Sequence, residues 1–195
     1  MESSAPSSHF CLSPRPLLFW LIMDKLSLDE IRRRFEFASE FNDLFDAFEQ
    51  AIGQELDDID LYKKLFWNKS LSSDGVALFA EQLAKRFPYL AYNTFLWLGE
   101  MYALTVAADD NFDRALMYYR KASAANPKAI EPYLNAVSCY DPDVKIPPAQ
   151  VLIEFLKTGV EHVPDNRIIC KRLSYLYAQL GNDEMTQYYK RLGDE

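Results

Sequence analysis

From residue 27 onward, apolar residues recur at intervals of three and four positions, which is the spacing of one helix face. The segment Ser27-Leu28-Asp29-Glu30 has the form of a capping box, in which the Ser and Glu side chains each satisfy a free amide of the first turn. We therefore expect one helix from this point to about Gly53, with a broad apolar stripe that must be covered. The stripe consists of Ile31, Phe35, Phe37, Phe41, Leu44, Phe45 and Phe48.

The same spacing predicts two further helices before residue 88. The first contains Ile59 and Phe66, and the second begins at the candidate N-caps Ser72-Ser73-Asp74 and ends before Pro88. Nowhere do four or more residues alternate between apolar and polar with β-branched enrichment, so we expect no sheet and an all-α fold.

The rest of the chain contains an internal repeat. Pro88, Pro127 and Pro164 lie 39 and 37 residues apart, each between two predicted helices. Each following helix carries an aromatic or small apolar residue, an apolar residue three positions later and a Tyr four beyond that. The three sets are Phe95, Leu98 and Tyr102; Tyr133, Ala136 and Tyr140; and Cys170, Leu173 and Tyr177. Such a period is typical of stacked helical hairpins.

The first repeat has a recognisable motif, Phe95-x-x-Leu98-Gly99-x-x-Tyr102, followed by Ala115-x-x-x-Tyr119-x-x-Ala122 and Pro127. It resembles the tetratricopeptide repeat. The resemblance covers about residues 89 to 195 and implies an α-α superhelix of antiparallel helical hairpins, with about eight or nine helices in the chain.

The second and third repeats depart from this pattern. The second has Val137 where the family has Gly, and a loop from Asp141 to Pro148 between its helices; the third ends with a helix from Asp183 to Leu192. In the first repeat, Gly99, Ala115 and Ala122 are expected where the two helices cross, because small side chains let the backbones approach.

The helical patterns divide the chain into three predicted regions. Residues 1-22 form a disordered extension or a weak targeting segment, residues 23-87 a helical N-terminal cap packed on the repeats, and residues 88-195 the repeat region. The run from Leu17 to Met23 has seven apolar residues, whereas a membrane span needs roughly 18 or more. No membrane span is expected.

Composition narrows the range of partners and compartments. The chain has 195 residues, 21 Lys and Arg against 29 Asp and Glu, and a net charge of −8, so it offers no overall field for a nucleic acid. Three cysteines that are far apart in sequence form neither a zinc motif nor a disulfide framework. A reducing, cytoplasmic location fits this pattern.

Candidate chemistry is sparse. The chain has two His and six Gly, which leaves little material for His-based catalysis or phosphate loops. The sequence Asp141-x-Asp143-x-Lys145 is not a calcium loop, since Ile146 and Leu152 stand where Gly and Glu are required. His162 with Cys170 lacks a third metal ligand. We expect no enzyme activity, no metal and no cofactor.

The resemblance implies binding: the first helix of each hairpin would line a concave groove that holds a peptide or helix of a partner. The preferred function is therefore an adaptor or co-chaperone that binds another protein. The residues expected to line the groove are Asn93, Leu96, Glu100, Glu131, Leu134, Asn135, Ser138, Lys171, Arg172 and Tyr175.

Two further hypotheses concern the mode of binding. Some tetratricopeptide proteins clamp a C-terminal carboxylate with Asn, Lys and Arg; Asn135 and Arg172 match that pattern, but Leu96, Glu100 and Ile168 replace the other residues. We therefore expect no such clamp here. The alternative function is a structural subunit that forms a homodimer through its Phe-rich N-terminal helices, because large apolar stripes seldom stay uncovered.

Overall fold

A computed structural model describes residues 25-104 and 111-195. The predicted extension, residues 1-22, lies outside the described residues, as does Cys11. The described residues form ten α-helices and no strand, which confirms the all-α prediction. The helices are α1 (Leu28–Phe37), α2 (Phe41–Gly53), α3 (Ile59–Phe66), α4 (Ser73–Arg86), α5 (Ala91–Leu104), α6 (Asn111–Ala125), α7 (Glu131–Ser138), α8 (Ala149–His162), α9 (Arg167–Gln179) and α10 (Asp183–Asp194).

The expected single helix from Ser27 to Gly53 is wrong, because the chain leaves the helical conformation between α1 and α2. The Asn68 side chain, which follows α3, donates to the carbonyl oxygens of Phe35 at 2.9 Å and Ala38 at 3.0 Å. These bonds satisfy carbonyls at the end of α1 that a continuing helix would have used itself. The break raises the number of helices above the eight or nine expected.

The break also divides the predicted apolar stripe. Ile31, Phe35, Leu44 and Phe48 are fully buried, whereas Phe37 remains 74% exposed. The buried members cannot take part in an interface with a second chain. The homodimer through the Phe-rich helices stays a prediction.

The helix starts follow the predicted caps in most respects. The Glu30 amide donates to Ser27 Oγ at 3.2 Å, and the Gly75 amide donates to Ser72 Oγ at 3.1 Å, so both N-caps are confirmed. The Glu30 side chain does not take its expected part in the capping box. Its carboxylate instead accepts hydrogen bonds from the guanidinium groups of Arg33 and Arg34. Those charge-assisted bonds lower the pKa of Glu30 to about 2.

Helices pack in a regular order along the chain. The odd-numbered helices form a row in which α1 contacts α3, α3 contacts α5, α5 contacts α7 and α7 contacts α9. In addition, α4, α6 and α8 each contact the odd helix that follows. This order agrees with hairpins α5/α6, α7/α8 and α9/α10, and α1 pairs with α2 in the same manner. The superhelical course of the array stays a prediction.

One hydrophobic core runs through the described residues. The buried cluster extends without division from Ile31 in α1 to Tyr189 in α10. At the crossing of α5 and α6, Ala115 and Ala122 are fully buried, and a Cβ atom added to Gly99 would lie 2.5 Å from the ring of Tyr119. The expected role of Gly99 is confirmed, and the burial of Ala115 and Ala122 agrees with the role expected of them. The boundary predicted between residues 23-87 and residues 88-195 stays a prediction.

Within residues 25-104 and 111-195, none of the helices combines the length and the apolar character that crossing a membrane requires.

Candidate functional site

The predicted groove residues lie on α5, α7 and α9, three members of the odd-helix row, and each of them is exposed or half-buried. We call this surface, together with the exposed sides of α1 and α3, the odd-helix face. On α5, the core takes Phe95, Leu98 and Tyr102, so Asn93 and Leu96 are left at least partly exposed. On α7, Leu134 is half-buried and Ser138 Oγ donates to the Leu134 carbonyl at 3.0 Å.

The structure joins two pairs of polar residues across α5 and α7. Asn135 Nδ2 donates to Glu100 Oε1 at 2.9 Å, and the Tyr92 hydroxyl donates to Glu131 Oε2 at 3.0 Å. Burial, then the hydrogen bond to Glu131 and the charges of Glu131 and Glu100, raise the pKa of Tyr92, so its hydroxyl keeps the proton that it donates. The Asn135 amide is thus already engaged by a carboxylate of this chain.

The three predicted residues on α9 have separate environments. Lys171 Nζ lies 3.4 Å from Asp194 Oδ1, and a Cβ atom on Gly193 would meet Lys171 Cγ at 2.8 Å, so Lys171 is held against α10. Tyr175 meets Tyr140 edge to face, with ring centroids 6.4 Å apart. Arg172 is exposed and has no ion-pair partner in the described part of the chain. No hydrogen bond or ion pair in that part joins Lys171 or Arg172 to Glu100 or Asn135.

A depression of about 680 Å³ lies at the start of the odd-helix face, where α1, α3 and α5 meet. We call it the aromatic depression, because Phe37 from α1, Trp67 from the end of α3 and Trp97 from α5 all line it. Phe37 is 74% exposed and Trp67 is 56% exposed, while Trp97 is half-buried. Large aromatic side chains left open around a concavity are characteristic of binding sites.

The two tryptophan side chains of the aromatic depression pack against other rings. The Trp97 ring packs on Phe66 with centroids 6.1 Å apart and meets Trp67 at 6.0 Å in an edge-to-face arrangement. Such pairs favour defined relative orientations. The two tryptophan ring surfaces that line the depression are therefore preorganised, which reduces the entropy lost on binding.

Asn68 forms the floor of the aromatic depression. Its buried side chain closes the end of α1, and its Oδ1 accepts from the Ser70 amide at 2.8 Å and the Ser70 hydroxyl at 2.6 Å. Both polar ends of the amide are thus satisfied, as a buried polar group requires. This network positions Phe37, since it sets the residue at which α1 stops.

Charged residues surround the aromatic depression: Glu36, Lys63, Lys64 and Lys69. Lys64 Nζ lies 3.2 Å from Glu36 Oε2, and Lys63 Nζ lies 2.8 Å from Asp60 Oδ1. Lys69 has no ion-pair partner within residues 25-104 and 111-195. Three lysines and one glutamate give the lining a formal charge of +2, in a chain whose net charge is −8.

Trp67 and Trp97 were not among the residues expected at a site, and Phe37 was expected only as a member of the apolar stripe. A signal was present for Trp97, since residues 95 to 98 are four consecutive apolar residues, more than one helix face can bury. No such signal marks Phe37, because its exposure depends on the break that Asn68 stabilises.

The described residues contain no group of three or more His, Cys, Asp and Glu side chains that could hold a metal ion. Cys139 and Cys170 carry free thiols, and burial raises the pKa of each. His162 is exposed, and its Nδ1 lies 2.7 Å from the Thr158 carbonyl oxygen.

Comparisons of the chain with protein-family models, with curated proteins and with solved structures find no match. The resemblance to tetratricopeptide repeats therefore stays a prediction.

Proposed function

We propose that this protein is a binding module that holds an extended peptide or a helix of a partner protein against its odd-helix face. The aromatic depression carries the proposal. Trp and other large side chains supply most of the free energy at protein interfaces, especially where they surround a pocket. Phe37, Trp67 and Trp97 form such a group, and the two tryptophan rings already pack on each other before any partner arrives.

The row of odd helices supports an extended footprint. The exposed side of α5 carries Trp97 and Glu100, so the aromatic depression and the Glu100–Asn135 pair lie along one surface. Stacked helical hairpins present such continuous surfaces to extended ligands. A partner anchored in the depression would continue over α5 toward α7.

The proposal excludes a carboxylate clamp as the main contact. Glu100 already accepts the Asn135 amide, so a second carboxylate at this place would meet a negative charge and find its amide donor occupied. Like charges at an interface disfavour a partner.

Peptide selection on the full chain, followed by NMR of the selected complex, tests the proposed function. Random twelve-residue peptides are selected on the immobilised protein, and a bound peptide is titrated while the indole N–H signals of the three tryptophans are followed. We expect the signals of Trp67 and Trp97 to shift on binding, and Met117→Ala, a change on α6, to leave the affinity unaltered. Failure to select any peptide, or binding that moves neither indole signal, would contradict the proposal.

A further inference from the structure

We infer that the aromatic depression recognises a segment of a partner protein in which a bulky apolar side chain is flanked by acidic residues. This inference rests on the proposed function and adds the chemistry of the partner. It combines two features that the proposed function does not explain. These are the exposed rings at the centre of the depression and the lysines around it.

The centre of the depression fits an apolar anchor. Phe37 and Trp67 leave more than half of their surface to solvent, and burial of such apolar surface under a Phe or Leu side chain is favourable. Trp67 and Trp97 already contact each other, so they cannot close over the gap by approaching further. A side chain from outside is needed to cover it.

The rim fits acidic neighbours of that anchor. Lys69 has no ion-pair partner in the described part of the chain, and the pairs that hold Lys63 and Lys64 are exposed at the surface. Exposed ion pairs of this kind contribute little to stability, so exchange for a partner carboxylate is easy. Three ammonium groups are thus available within one small area.

The remaining surface makes this local charge selective. With a net charge of −8, the chain as a whole repels an acidic segment. An acidic partner is therefore favoured at the lysine rim and disfavoured elsewhere, which determines where the segment binds and in which register. A basic segment would be attracted by the rest of the chain and repelled at the depression.

Three labelled peptides serve as probes for the full chain in fluorescence anisotropy. The first has a central Leu-Phe pair with Asp-Glu on both sides, the second has Lys at each acidic position, and the third has Ala-Ala in place of Leu-Phe. We expect the first to bind at least tenfold more tightly than the other two at low salt. Its affinity should fall as salt is added, because exposed charges are screened.

Variants of the full chain assign the contacts. Lys69→Glu and Trp67→Ala should each weaken the first peptide about tenfold or more, while Lys69→Glu should reduce the difference between the acidic and basic peptides. Phe37→Ala, at a largely exposed residue, checks the apolar contact with little risk to folding. The matched controls are Lys128→Glu, an exposed Lys between α6 and α7, and Leu180→Ala, an exposed apolar residue after α9. Both should leave the affinity unchanged.

Equal binding of the acidic and basic peptides, or no effect of Lys69→Glu and Trp67→Ala, would overturn the inference. If none of the three probes bound while a selected peptide still shifted the Trp67 and Trp97 indole signals, the acidic partner would be wrong and the proposed function would stand. Sedimentation that showed a dimer, reduced to a monomer by Phe37→Asp, would assign the depression to a second copy of the chain and overturn the inference as well.

Discussion

In the hairpin α5/α6 a glycine of the first helix faces a tyrosine of the second, whereas in α7/α8 the tyrosine comes from the first helix and the glycine from the second. A Cβ atom on Gly99 would lie 2.5 Å from the Tyr119 ring. A Cβ atom on Gly159 would lie 3.0 Å from the Tyr133 ring and from Ile169 Cδ1. Both crossings thus seat one Tyr ring where the other helix has no side chain.

This exchange explains why the second repeat is hard to recognise from its sequence. The motif requires Gly at one position of the first helix. The first repeat has Gly99 at that position, but the second repeat has Val137. The packing requirement is still met, because close approach needs a small residue on one helix and is indifferent to which. The third hairpin has its own small residue on the second helix, Gly193, against Lys171.

The Tyr that ends each repeated set makes a second difference between the hairpins. Tyr102 stacks on Tyr118 with centroids 5.6 Å apart and rings 7° from parallel, and Tyr177 stacks on Tyr189 with the same values. Tyr140 instead lies beyond the end of α7 and contacts Tyr175 in the next hairpin. The middle repeat therefore uses this position to join neighbours, while the other two use it inside the hairpin.

The largest effect is expected where a big side chain is forced into the α5/α6 crossing. Gly99→Leu and Ala115→Phe should each destabilise the fold by about 3 kcal/mol or more, because the first forces a side chain into the buried Tyr119 ring and the second enlarges a fully buried residue. Leu96→Ala, at a half-buried residue on the odd-helix face, should cost less than about 1 kcal/mol. Chemical denaturation measures all three, and equal losses would show that the crossing is misplaced.

Substitution of the Tyr that ends each repeated set should distinguish packing inside a hairpin from packing between hairpins. Tyr102→Ala should cost about 3 kcal/mol, because it empties a buried site inside a hairpin. Tyr140→Ala should cost about 1 kcal/mol, since its ring is half-buried and makes an edge contact with Tyr175. Urea unfolding of both variants tests the difference, and a larger loss for Tyr140→Ala would reverse the assignment.

The smallest side chain gives a finer comparison of the two crossings. Gly99→Ala should cost about 1 to 2 kcal/mol, because the clash with Tyr119 exceeds the gain of about 1 kcal/mol from replacing a helical glycine. Gly159→Ala should be nearly neutral, as its longer contacts relax by a few tenths of an ångström.

A double-mutant cycle supplies the control for this pair. Tyr119→Leu should reduce the cost of Gly99→Ala, and additive losses would contradict a direct clash between the two residues.

The turns of the hairpins offer the smallest effect. Lys145, in the α7/α8 loop, has φ +57°, and Gly181, in the α9/α10 turn, has φ +68°. Lys145→Gly should stabilise the protein by up to about 1 kcal/mol, whereas Gly181→Ala should destabilise it by about that amount. Thermal unfolding of the two variants measures these changes. Melting temperatures that shift in the same direction would contradict the view that both positions favour glycine.

Much of the fold was predictable from local pattern. The starts of α1, α3 and α4 and the end of α4 before Pro88 follow from caps, helical spacing and proline, all of which act within a few residues. The prediction of one long first helix was wrong because the break depends on a distant residue. The apolar spacing continues across residues 38 to 40, whereas Asn68, which stabilises the break, lies about 30 residues away.

For the candidate site, too, the sequence predicted only what depends on a single helix. Helical spacing alone placed Glu100 and Asn135 on the outside of α5 and α7, because the core side of each helix is marked by its apolar residues. Their hydrogen bond, the ion pair of Lys171 with Asp194 and the shared depression of Phe37 and Trp67 each depend on residues from different elements.

The sequence by itself determined that the chain is helical, where most helices begin, and which small residues let α5 and α6 meet. Only the tertiary structure decided where the first stripe divides, which helix of α7/α8 supplies the glycine, and that three aromatic side chains enclose an open depression. The physical reason is range: caps and periodicity act within one helix, whereas the bonds of Asn68, the fit of Tyr133 on Gly159 and the contact of Trp67 with Trp97 exist only after separate helices have packed.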